Sequence, residues 1–376
     1  MKTICIITHS LNEYQILKPL IKQFQKDKDL YLTIVLMDKH QSSEMEINYT
    51  RIEEEGFTVY EKTDIVFNGQ NKTRSDNLFD REQSYYNIIF KLLNPDIIIL
   101  SGNSYQTFVC AIAASQKNIP IAHIQGGKSN SGIFEDSYCC GISKLGHLHF
   151  TSTRKHHRQI IQSGKHPDRV FNVGSLMVEK VKTLPLEKKN QFYEKIDFNK
   201  NSIFLFISFH PDSSTGSKNV HIFQEILDSL SHEKLKNFKL LFNKPKTDGL
   251  GKMIIQMIDN FITQNWGKAS SLSNMNLSDL SNAIKYCSAV VGNDLNSITI
   301  APGFRTPVIN ITSKLQNRIK TKNIIDCHPS RQDIFCAIQN GLSVDFKSPA
   351  KEISSPFDKI STARKIKESI KKFTRS

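Results

Sequence analysis

The 376-residue sequence predicts an α/β protein, and three observations carry that reading. Short apolar runs without alternation recur along the chain, as expected of strands buried on both faces of a parallel sheet. Helical stripes of apolar residues lie between them. The pattern breaks at a charged stretch, 186–200, and then restarts, which implies two Rossmann-like domains facing a central cleft.

The elements follow in order. A first strand is read at 4–7, then a helix starting near Tyr14, capped by Asn12 or Ser10, with Ile16, Leu17, Leu20, Ile21 and Phe24 on one stripe. Runs at 32–36, 97–100, 119–124 and 147–150 supply further strands, and the polar segment 62–81 reads as a mobile loop over the cleft or, more plainly, as surface. After the break, strands are expected at 203–208, 238–242, 289–292 and 308–311. The domains are placed at 1–185 and 186–356, followed by a basic helix at 357–376. Its Ile360, Ala363, Ile366, Ile370 and Phe373 share one side, expected to pack back across the domains with the Lys/Arg side in water. Adsorption of that helix on an anionic membrane is the alternative.

Composition narrows the classes. Hydrophobic residues make up 39% and charged residues 23%, a globular balance, and no apolar run approaches the ~20 residues that span a bilayer. The apolar stretch after Met1 is too short for a signal peptide, so the protein is expected to be cytoplasmic. Seven Cys form neither a CxxC pair nor a Cys/His metal spacing, which argues for reduced thiols. No metal and no cofactor are expected. Cys139-Cys140 are read as reduced and partly buried at a helix start. The net charge of +14 asks for an acidic partner, and residues 351–376 alone hold eight Lys/Arg against three Asp/Glu. Without an RNP-like motif or zinc-finger spacing, no specific nucleic acid partner is expected.

Ligands of open α/β sheets lie at the carboxyl ends of the strands, so the loops there are the candidates. The loop 8–14 leads into a helix whose free N–H groups can hold an anion, although an ordinary cap explains its polar residues equally well. Gly126-Gly127 let backbone approach a ligand, and Lys128 offers a charge; a solvated structural Lys is the plainer reading. Glu135-Asp136 stand at a helix start, where carboxylates are favoured in any case. His123 is read as structural. His210, closing the first strand of the second domain, is the better acid/base candidate. Asn293, Asn296 and Ser297 run from strand to helix and can cradle phosphate.

Together these loops resemble the hydrolysing UDP-N-acetylglucosamine 2-epimerases, in particular the branch feeding sialic and related nonulosonic acids. The match runs from Glu13-Tyr14 and Leu17-Lys18-Pro19-Leu20 through Pro120-Ile121-Ala122-His123, Gly126-Gly127 and His147-Leu148-His149-Phe150. It continues with Asp168-Arg169-Val170-Phe171, His210-Pro211, Gly292-Asn293, Ala301-Pro302 and Arg318. The resemblance implies a GT-B-like architecture, a nucleotide sugar such as a UDP-HexNAc as ligand, a homodimer, and no cofactor. It implies ligand-binding roles for Lys18, Asn293 and Arg318 and proton-transfer roles for His210, Asp136 and Glu135; Asn296 and Ser297 stay phosphate candidates by their place at the strand end, and Lys128 is a candidate base only where burial lowers its pKa. The family reaction removes the sugar's C2 proton and expels UDP to give a glycal, to which water adds.

The chain departs from that pattern at several places. The first-loop Arg of the family is Leu11, the Asp after the strand-end Gly is Asn103, the Glu after Gly-Gly is Lys128, and the ribose-gripping Glu is Ile300. The small residues of the nucleotide loop are replaced by Asp294-Leu295-Asn296-Ser297. Loss of one preorganised charged donor costs on the order of 10²–10³ in rate, so altered or lost epimerase chemistry is expected. Three readings stand: a nucleotide-sugar enzyme of surface-glycan pathways, a non-catalytic relative that binds a sugar nucleotide or partner, and a GT-B glycosyltransferase-like activity using His210 and Asp136.

Overall fold

A computed structural model describes residues 1–37, 52–57, 59–60, 78–127, 133–211, 216–247, 249–312, 319, 321–346 and 355–375. The chain divides into two compact units, Met1–Lys180 with Lys359–Ser376, and Val181–Asp358.

The first unit carries β1 (Lys2–Thr8), α1 (Leu11–Gln25), β2 (Leu30–Leu36), β3 (Val59–Tyr60), α2 (Leu78–Leu93), β4 (Ile97–Ser101) and α3 (Tyr105–Gln116). It continues with β5 (Ile121–Ile124), α4 (Ile133–Leu145), β6 (Leu148–Thr151), α5 (Arg154–Gln162), β7 (Val170–Asn172) and α6 (Leu176–Thr183), which runs into the second unit. All pairings are parallel, in the order β3-β2-β1-β4-β5-β6-β7. The sheet is buried on both faces: Ile4 and Ile6 of β1 enter one apolar cluster, while Cys5 and Ile7 enter another. That two-sided burial is why the strand reads as an unbroken apolar run.

The helix α1 begins at Leu11, three residues before the expected start, because the Ser10 hydroxyl accepts the Glu13 N–H as its cap. Tyr14, Leu17, Leu20, Ile21 and Phe24 form its buried stripe.

The second unit repeats the plan with α7 (Lys189–Lys195), β8 (Phe204–Ser208), α8 (Lys218–Leu230), β9 (Lys239–Asn243), α9 (Gly249–Gln264), β10 (Ala269–Leu272) and α10 (Leu277–Tyr286). Then follow β11 (Ala289–Gly292), α11 (Leu295–Phe304), β12 (Val308–Ile311), β13 (Ile324–Cys327) and α12 (Arg331–Leu342). Its parallel sheet runs β10-β9-β8-β11-β12-β13. In both units the strand order reverses at the first strand, between β1 and β4 and between β8 and β11, which is where doubly wound sheets open a crevice at their carboxyl ends.

The tail helix α13 (Thr362–Arg375) belongs to the first unit. Ala363, Ile366 and Ile370 are buried in that unit's core beside α1 residues, with Phe373 packed against them. Ile360, expected on the same apolar side, is instead 85% exposed, because it precedes the helix and never enters its stripe. With its apolar side spent in the core, α13 has only its basic side to offer outward. No helix among the described residues is long and apolar enough to cross a membrane.

Asp27, at the end of α1, clamps this helix. Its carboxylate accepts from Lys371 at 2.6 Å and Lys367 at 3.0 Å. The Lys371 bond outweighs the cost of burial and, with Lys367 and the Asp29 N–H, holds the Asp27 carboxyl down at about 2. Asp27→Ala should therefore loosen α13, removing the acceptor of Lys367 and leaving Lys371 with Asp29 alone, 2.7 Å away. Hydrogen exchange should show faster exchange of the α13 amides with β8–β13 unchanged; unaltered α13 protection would refute the clamp.

Cys139 is buried and Cys140 exposed, both as free thiols, at the seventh and eighth positions of α4 rather than at its start.

Candidate functional site

The polar residues at the strand ends of the second unit form one connected cluster. Gly292 ends β11 at φ 147°, so close to β8 that a Cβ there would lie 1.9 Å from the Ser208 carbonyl oxygen. Only glycine allows that approach, and it lets the next residue, Asn293, donate its N–H to the same carbonyl at 3.2 Å. The Asn293 side chain then grips the backbone of His210 at two points. Its Oδ1 accepts the His210 N–H and its Nδ2 donates to the His210 carbonyl, both at 2.8 Å. His210 is thus fixed by its main chain while its ring remains 45% exposed, a suitable arrangement for a group that meets a ligand.

Asp294 stands at the centre. It caps α11, accepting the N–H groups of Asn296 at 3.0 Å and Ser297 at 3.1 Å, and the Ser297 hydroxyl at 2.6 Å. Ser208 Oγ donates to it at 3.3 Å and in turn accepts from Asn243 Nδ2 at 3.0 Å. His210 Nε2 lies 3.6 Å from Asp294 Oδ1. His210, Asn293, Asn296 and Ser297, picked out separately in the sequence, are thereby joined through Asp294. Nothing in the sequence singles out Ser208, Asn243 or the central role of Asp294. The one signal is an Asp three residues before a Ser at a helix start, the pattern of an N-cap.

In the first unit the strand ends of β1 and β4 carry His9, Leu11 and Asn103. His9 Nε2 lies 2.9 Å from the Tyr86 hydroxyl, and its N–H donates to Glu13 Oε2 at 2.8 Å. Asn103 Nδ2 is buried without a hydrogen-bond partner among the described residues. His123 is structural, as expected: its Nε2 lies 2.9 Å from the Gly102 carbonyl, which can only accept. Nε2 therefore carries the proton and Nδ1 accepts from Ser143 Oγ at 3.2 Å.

Lys18 is held by Glu55, which also accepts from the Tyr14 hydroxyl at 2.6 Å. Burial opposes ionisation of Glu55, but the hydrogen bonds from Lys18 and Tyr14 prevail and keep its carboxyl below the usual range. Asp136 is half-buried, the fourth residue of α4. Lys128, Arg318 and the side chain of Glu135 lie outside the described residues. Among the described residues no group of three His, Cys, Asp or Glu is placed to hold a metal.

Two doubly wound parallel units of this topology, each with polar loops at its switch point, define the class of two-unit Rossmann-like α/β proteins. The sequence pattern of UDP-N-acetylglucosamine 2-epimerases matches residues 22–371, and the chain belongs to that family. It is 29% identical over 346 residues to the GDP/UDP-N,N'-diacetylbacillosamine 2-epimerase (hydrolyzing) of Campylobacter jejuni, covering 92% of this chain and 89% of that one. It is 28% identical over 376 residues to the polysialic acid biosynthesis protein P7 of Escherichia coli, covering 99% and 95%. In fold it is similar to the MnaA–UDP structure from S. aureus, with a TM-score of 0.81 at 17% identity over 100% and 97% of the chains. It is likewise similar to the Neisseria meningitidis UDP-GlcNAc 2-epimerase bound to UDP-GlcNAc, with a TM-score of 0.81 at 15% identity over 99% and 100%.

Proposed function

We propose that this chain is a sugar-nucleotide protein of surface-glycan biosynthesis, a homodimer, in which standard hydrolytic epimerisation of UDP-N-acetylglucosamine is lost or strongly slowed. The observation that carries this reading is Asn103 at the β4 strand end, where the family resemblance places an Asp. An amide cannot accept the C2 proton at any working pH. Two further positions support it. Leu11, at the start of α1, brings no charge to a departing diphosphate, and Ile300, 2% exposed within α11, offers no carboxylate to a ribose. The second unit's cluster, with His210 held by Asn293, is the part retained for ligand binding.

The purified protein, incubated with UDP-N-acetylglucosamine and followed by NMR, should release little or no N-acetylmannosamine and UDP. Reverting Asn103→Asp together with Lys128→Glu should not restore full turnover, because Leu11 and Ile300 remain. Turnover of the unmodified protein on the order of several per second, within the usual range of enzymes, would sink the reading.

A further inference from the structure

The charges of α5 stand at the wrong end of the helix. A helix start is partially positive and favours acidic side chains. Yet α5 begins Arg154-Lys155-His156-His157-Arg158, with no acidic residue in its first turn. Arg154 and Arg158, one turn apart, are both exposed, and neither has an acidic partner among the described residues. Two guanidinium groups so placed repel each other and the helix end, so the arrangement lowers stability while no anion is bound. Neutral donors stand at the same end. The Thr153 hydroxyl accepts the His156 N–H at 3.3 Å and the Thr153 carbonyl accepts the His157 N–H at 3.0 Å, but the Arg154 N–H has no acceptor among the described residues. Ser152, between the end of β6 and the cap, is 1% exposed, and its hydroxyl is buried with no hydrogen-bond partner among the described residues. The His157 ring is otherwise engaged, its Nε2 donating to the Val170 carbonyl at 3.1 Å. These groups lie at the carboxyl end of β6, the side of the sheet on which ligands of doubly wound units bind.

We propose that the start of α5 is an anion site of the first unit that holds a phosphate group, with Arg154 and Arg158 as its charged partners and the Arg154 N–H and Ser152 hydroxyl as its neutral donors. Phosphate chemistry fits this set. A guanidinium fork bonds two phosphate oxygens at once, and a remaining oxygen accepts from backbone N–H or hydroxyl. The negative charge also cancels the repulsion that the two arginines create at a helix start. The site belongs to the first unit and stands whether or not the second unit's cluster binds a sugar nucleotide. A loop after β5 holds α5 in place: a Cβ on Gly127 would lie 2.7 Å from the His156 carbonyl oxygen, so the backbone there is packed directly on the helix.

The test is titration of the full chain, an Arg154→Gln/Arg158→Gln double variant and Ser152→Ala with inorganic phosphate and with UMP, in chloride at constant ionic strength, followed by phosphorus NMR. Phosphate should bind the unmodified chain, and the double variant should lose at least about tenfold in affinity. Ser152→Ala should lose a smaller factor. Both arginines are exposed, so the double variant should fold. In chloride alone it should even unfold at a higher urea concentration than the unmodified chain, since the misplaced charges are gone. Added phosphate should raise the urea midpoint of the unmodified chain and leave that of the double variant behind. UMP that loses affinity in step with phosphate upholds a phosphate group carried on a ligand, and phosphate alone upholds a free anion. Refusal of UMP by every form, with phosphate binding still lost in the double variant, would refute the nucleotide reading of the second unit and leave this site standing. The proposal is overturned if phosphate fails to bind the unmodified chain at tens of millimolar. It is overturned equally if the double variant binds phosphate as the unmodified chain does.

Discussion

Gly292→Ala should destabilise the second unit by about 4 kcal/mol or more, the range reserved for substitutions that break a specific structural requirement. Two independent penalties act at this one position. The backbone sits at φ 147°, which L-residues with a Cβ rarely adopt, and the added Cβ would meet the Ser208 carbonyl oxygen at 1.9 Å. That obstacle is backbone in the middle of the sheet, paired with Gly292 across β8 and β11, so it cannot swing aside as a side chain can. Relief would require separating the two central strands, which carry Leu205, Ile207, Ala289 and Val291 into the unit's core. The same movement would pull Asn293 from the Ser208 carbonyl and release His210. Urea unfolding followed by a probe in the second unit measures the loss. A cost below about 1 kcal/mol would mean that the close approach of β8 and β11 is wrong.

Legibility in the sequence follows burial. The central strands β1, β4, β8 and β11 read plainly because both faces are covered, so apolar residues fill their interiors. The outer strands β7, β10 and β13 do not read as strands. They are only partly buried, so Ser270 and Ser271 in β10 or Asp326 in β13 are tolerated and break the apolar run. The expected tail stripe starts too early, at Ile360, because apolar periodicity alone does not mark where a helix begins. His210, Asn293 and Ser297 are legible from their places at strand ends. The part played by Asp294 is not, since Ser208 lies 86 residues away and meets it only because β8 and β11 are neighbours. The binding role expected for Lys18 comes from resemblance, whereas its partner Glu55 lies 37 residues on and carries no local signal.

Acid should weaken the first unit through His149. This ring is fully buried on β6, and burial pushes its pKa from the ordinary 6.5 down to about 3, with His123 on the neighbouring strand and Lys165 adding to the shift. A backbone contact with Gly146 pulls the other way without offsetting these. The depressed value sets the sign. Below pH 6.5 the unfolded chain takes a proton that the folded unit refuses, so stability is fully present above 6.5 and falls as the pH drops toward 3. A shift of this size corresponds to about 4 to 5 kcal/mol across that window, at about 1.4 kcal/mol for each pH unit. That is a large part of the stability of a domain this size. His149→Phe replaces the ring with an apolar one that never charges, so the variant should lose less stability than the original between about pH 6.5 and 4, whatever the substitution costs at neutral pH. Urea midpoints of the first unit, compared at about pH 7.5, 6, 5 and 4, give the two slopes. Parallel slopes would show that His149 takes up its proton without opposition in the folded protein and that its burial is incomplete.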